Sequence, residues 1–108
     1  MSIKKIITGL VLSMLLASGV ASAADFNKGL QAYNSGDFKT ALAEWTPLAE
    51  QGDATSQFNL GLMYYRGDGV PENYKTAAKW YTLAAEQEVA RAQYNLGLMY
   101  RKRSEERR

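Results

Sequence analysis

Ser2-Ile3-Lys4-Lys5 sets a hydroxyl three residues ahead of an amine, the spacing at which a lysine can activate a serine nucleophile. It is the only Ser-x-x-Lys spacing in the chain, and it falls in a leader that the mature protein is expected to lose. The serines beyond that leader, Ser35, Ser56 and Ser104, have no candidate base at a recognisable spacing. There is no His and no Cys. That removes the commonest general base, thiol nucleophiles and the usual zinc ligand sets. Gly67-Asp68-Gly69 has the glycines of a phosphate cradle but lacks the Gly-Lys-Ser/Thr ending of a P-loop. It also follows a helical pattern instead of a strand, so it reads as a turn. Asp68 and Glu72 lack the ligand spacing of a calcium loop and read as solvated acids. No residue is assigned a catalytic or metal-binding role, and no cofactor is expected.

Recognition chemistry is better represented. Gln57 and Asn59 recur as Gln93 and Asn95, and amides repeated along an array can read an extended peptide backbone. With Tyr65, these form the candidate partner-binding set: Gln57, Asn59, Tyr65, Gln93 and Asn95. Tyr64, Tyr81 and Tyr100 can line the same face, although Tyr64 and Tyr81 read first as packing between helices.

The elements that position these side chains follow from a repeat. Gln57-Phe-Asn-Leu-Gly-Leu-Met-Tyr64 returns 36 residues later as Gln93-Tyr-Asn-Leu-Gly-Leu-Met-Tyr100. A period of that length means stacked supersecondary units. Five helices are predicted, over 25–34, 38–51, 54–65, 74–87 and 89–103, from apolar residues recurring every three and four positions. Asp37, Asp53 and Asn73 are placed as helix N-caps, and Gly52 as a helix-ending glycine. The fold class is therefore all-α, a solenoid of stacked antiparallel helical hairpins with about two and a half repeats.

Ahead of the repeats stand Lys4 and Lys5, an apolar run from Ile6 to Leu16, and the small-residue stretch ending Ala21-Ser22-Ala23. This is the layout of a secretory signal peptide over residues 1–23, cleaved before Ala24. The apolar run is too short to span a bilayer, which needs roughly 20 residues. No Cys adjoins the site for lipid attachment. Localisation is expected to be periplasmic or extracellular, with no stable membrane insertion once the leader is gone. Residues 24–100 carry 6 basic and 9 acidic side chains, whereas residues 101–108 carry 5 basic and 2 acidic. An acidic body argues against nucleic acid as a partner. The basic tail is expected to be a solvated, disordered end.

The sequence resembles the Sel-1-like repeat, a relative of the tetratricopeptide repeat. Ala54, Leu60-Gly61, Tyr64, Gly67, Gly69-Val70, Ala77, Trp80-Tyr81 and Ala84-Ala85 fall in the family's order. Asn73 stands where the family usually has Asp, and Thr76 where it has Lys. The resemblance covers residues 24–100, and the shorter link of the first unit is closer to the tetratricopeptide form. It implies a right-handed α-solenoid that binds another protein or peptide as an adaptor or scaffold. It also carries two alternatives. Some exported relatives bind or hydrolyse β-lactams, and a chain with an unpaired fifth helix can be a fragment of a longer array. That fifth helix is also the surface expected to mediate any self-association. Glu88-Val89 replaces Gly52-Asp53 at the second junction, losing both stop and cap. A turn is still expected there, because a straight helix would expose Tyr94, Leu98 and Met99.

Overall fold

The computed structural model describes residues 23–107, so the signal-peptide reading lies almost wholly outside the described residues. Within them are five helices and no strand: α1 Phe26–Asn34, α2 Phe38–Glu50, α3 Ala54–Arg66, α4 Tyr74–Glu86 and α5 Ala90–Glu106. Each packs chiefly against its neighbours in the chain. The result is a helical solenoid of two hairpins, α1–α2 and α3–α4, with α5 as a further half.

Four of the five helices start at a side-chain cap. Asp25, Asp37, Asp53 and Asn73 accept hydrogen bonds from the backbone N–H groups of Lys28, Thr40, Ser56 and Thr76 at 2.9–3.2 Å. Each satisfies a donor that the first helical turn leaves free. Val89, which precedes α5, makes no such bond.

The two junctions between hairpins share one backbone solution. At the first, Gly52 N–H donates to Ala49 O and Asp53 N–H to Leu48 O. At the second, Glu88 N–H donates to Ala85 O and Val89 N–H to Ala84 O. Both patterns need a left-handed residue to reverse the chain. Gly52 takes it at φ 103° without a Cβ penalty, whereas Glu88 is forced to φ 66°. The expected turn is present, held in place against the preference of its own residue.

Within each hairpin an aromatic ring from the second helix sits on bare backbone of the first. Trp45 of α2 packs on Gly29, where an added Cβ would lie 2.5 Å from the indole nitrogen. Tyr81 of α4 packs on Gly61, where a Cβ would lie 2.6 Å from the ring. A phenylalanine three residues earlier flanks each ring, Phe26 at 5.6 Å from Trp45 and Phe58 at 5.6 Å from Tyr81. Ala41 and Ala49 bracket Trp45 on α2, and the buried Ala77 and partly buried Ala85 bracket Tyr81 on α4. Small residues around a large one let the helices close on each other.

The basic tail departs from expectation. Residues 101–106 continue α5 as helix, fully solvated but ordered. Arg, Lys and Glu are good helix formers, and nothing between Gly97 and Glu106 interrupts the pattern. Lys102 Nζ also lies 5.4 Å from the Tyr74 ring, tying the extension to α4.

Two substitutions test the second junction. Glu88→Gly releases a left-handed conformation that costs a side-chain residue about 1–2 kcal/mol. Val89→Asp adds the missing cap, worth about 1 kcal/mol. Each is expected to raise the melting temperature by about 4–8 °C in a calorimetric scan, since this is a small domain.

Candidate functional site

α1, α3 and α5 form one layer of the solenoid, and α2 and α4 the other. A groove runs between α3 and α5, walled by Leu62 and Arg66 on one side and Asn95, Leu98 and Met99 on the other. Tyr81, from the opposite layer, makes its floor. The groove opens into a wider depression of about 490 Å³ beside Phe58, Arg91 and Tyr94. Arg91 stacks its guanidinium over the Phe58 ring at 5.0 Å, which joins the two walls at that end.

The Tyr81 hydroxyl is the exceptional atom here. Tyr81 is 1% exposed, and its hydroxyl has no hydrogen-bond partner in the chain. Burial pushes its phenol above the ordinary value, and the nearby Asn95 amide opposes that shift without meeting the geometry of a hydrogen bond. A buried polar group without a partner costs about 1–3 kcal/mol. At the other end of α3 the polar groups are fully used. Tyr33 donates to Asp68 Oδ2 at 2.7 Å and accepts from Arg66 Nη1 at 3.1 Å. Burial first, and then the Asp68 carboxylate, raise the Tyr33 phenol, while Arg66 lowers it.

The five residues proposed from sequence divide into two groups. Gln57 and Gln93 belong to the junctions. Gln57 is 4% exposed, so its side chain is not free to read a partner. Its Nε2 donates to Ala49 O at 3.1 Å, and its Oε1 accepts from Gln87 Nε2, which also donates to Gly52 O. Gln93 repeats the first bond one period later, donating to Ala85 O at 3.1 Å from an exposed position. These glutamines hold the last carbonyls of α2 and α4, which a helix end leaves unpaired. Asn95 does line the groove, and Tyr65 lies at its edge, stacked on Tyr74 at 5.0 Å. Asn59 occupies the equivalent half-buried position on α3, one period earlier. Sequence reasoning missed Leu62, Arg66, Arg91 and Leu98. Their helical spacing of four, from Leu62 to Arg66 and from Arg91 to Asn95, was the available sign.

The other sequence features are accounted for locally. Gly67 and Asp68 turn their N–H groups back to Met63 O at 2.8 and 2.9 Å, so this loop closes on its helix. Ser56 is fully buried and donates to the capping Asp53 carboxylate at 2.6 Å. Ser35 donates to Ala32 O. Among the described residues no three acidic side chains gather in a way that could hold a metal ion.

Tyr81→Phe removes the unpaired hydroxyl and keeps the ring on Gly61. It is expected to leave the fold as stable or more stable by about 1 kcal/mol in urea melts. Gln57→Ala strips partners from buried groups at the first junction and is expected to cost about 1–3 kcal/mol by the same measurement.

Residues 54–89 and 90–104 match the model of the Sel1 repeat, the first as one whole unit and the second as the opening helix of another. The α1–α2 hairpin lies outside both matches. Among solved structures, a Sel1 repeat protein from Oxalobacter formigenes is similar, with a TM-score of 0.68 and 35% identity over 72% of this chain. The chain spans about a third of that protein's length, 32%. No curated protein matches the sequence. The 36-residue period, the seated aromatics and these matches agree, and the chain belongs to the Sel1 repeat family.

Proposed function

We propose that the chain is an exported protein-interaction module that holds an extended peptide segment of a partner in the groove between α3 and α5. Sel1 repeats generally mediate protein–protein interaction. The observation that carries the reading is the Tyr81 hydroxyl, buried without a partner at the floor of that groove and beside the Asn95 amide. Apolar walls with a few convergent polar groups are the usual makeup of a ligand site. A peptide backbone lying along the groove offers carbonyls to the Tyr81 hydroxyl and either group to Asn95. Arg66 and Arg91, on its rim, favour a segment bearing carboxylates.

Export rests on the basic, apolar and small-residue order of residues 1–23. The competing reading, a β-lactam-processing enzyme, lacks support from the groove. Its described lining contains no serine, and Ser56, the most buried, is occupied by Asp53.

Peptides selected from a display library on the full chain provide the test. Asn59→Ala combined with Asn95→Ala is expected to weaken the selected peptides about tenfold or more while the melting temperature holds. A large loss of stability would return both asparagines to structure. Turnover of a chromogenic β-lactam would favour the enzyme instead. Mass spectrometry of the envelope fraction is expected to find a chain beginning at Ala24.

A further inference from the structure

Twice in this chain an aromatic residue and a glycine three positions later receive a ring from the following helix. Phe26 and Gly29 on α1 receive Trp45, and Phe58 and Gly61 on α3 receive Tyr81. α5 carries the same pair a third time, as Tyr94 and Gly97. There the slot is open. A Cβ added at Gly97 meets nothing within 4 Å, and Tyr94 is 68% exposed. Tyr100, 55% exposed, stands on the far side of the slot. A glycine inside an exposed helix costs about 1 kcal/mol against alanine. At Gly29 and Gly61 the close approach of a ring offsets that cost, and at Gly97 nothing within the chain does.

We infer that the Tyr94–Gly97 face of α5 is a docking site for an α-helix of a second polypeptide, one carrying Trp or Tyr with Ala four residues before and four after it. The two filled slots specify this occupant. Trp45 is bracketed by Ala41 and Ala49, and Tyr81 by Ala77 and Ala85, and both rings lie 5.6 Å from the flanking phenylalanine. Residues from Gly97 to Glu106 continue α5 itself, so no described residue turns back onto the face. The two matching helices of a second copy, α2 and α4, already have their aromatic stripes buried. Charge adds a further preference. An occupant running antiparallel to α5 brings its first turn beside Arg101, Lys102 and Arg103. Acidic residues in that turn therefore meet basic side chains, and they also complement their own helix dipole. This face lies on the other side of α5 from Asn95, Leu98 and the groove, so the two sites can be disabled separately.

The test uses the full chain and a stapled helical peptide of residues 72–88, which carries the Ala77, Tyr81 and Ala85 pattern behind Glu72. Fluorescence anisotropy is expected to show saturable binding, weakened about tenfold or more by Tyr81→Ala in the peptide, the usual effect of losing a buried aromatic anchor. Gly97→Leu in the protein is expected to weaken binding to the same extent. Its melting temperature is expected to be no lower than that of the unaltered chain, because leucine is the better helix former and the site is open. Equal binding to Gly97→Leu, or no saturable binding, overturns the inference. So does a concentration-dependent dimer that Gly97→Leu abolishes, which would give the slot to a second copy.

Discussion

An aromatic ring pressed against bare helix backbone holds each hairpin of this solenoid together. Trp45 and Tyr81 are almost wholly buried, and both depend on a glycine whose hydrogen leaves room for them. Burying a side chain of that size stabilises the fold by about 1.5–3 kcal/mol, a large share of what a small domain has. The chain has no disulfide to help. Packing at these two points therefore sets the spacing between helices, and the alanines on either side follow from it. Trp45 adds a polar tie, donating its indole N–H to Phe26 O at 3.1 Å.

The position of Tyr81 links that packing to recognition. The contact that seats its ring on Gly61 also aims its hydroxyl between α3 and α5, where the chain supplies no acceptor or donor. Tyr33 shows the contrast. Its hydroxyl, at the rim, is satisfied by Asp68 and Arg66. One phenol completes the structure, and the other is left for something outside it.

The junctions show a different balance. Gln57 and Gln87 secure the first from both sides, with Gly52 free to adopt its backbone. At the second, Gln93 alone repeats the glutamine bond while Glu88 bears a left-handed backbone and Val89 supplies no cap. The turn survives because α5 gains more by laying Ala92, Leu96 and Met99 on α4 than the junction loses. Burial outweighs a local cost of about 1–3 kcal/mol.

The sequence by itself determined the helices, their order and their pairing, because a 36-residue period and apolar residues every three or four positions admit few other arrangements. It determined the caps as well, since Asp or Asn just ahead of a helix acts locally. Asn95 and Tyr65 were legible as surface candidates from the same repeat. Tertiary structure alone decided the rest. Gln57 looked equivalent to Asn59 in sequence, yet the approach of α2 buries it and leaves its neighbour partly open. Tyr81 read as packing, and only the placement of α3 against α5 made its hydroxyl a feature of the groove. The three Gly positions are alike in the chain, and whether a ring lies over each depends on which helix comes next in space. A repeat records what each unit can contact; only the folded neighbours decide which of those contacts are made.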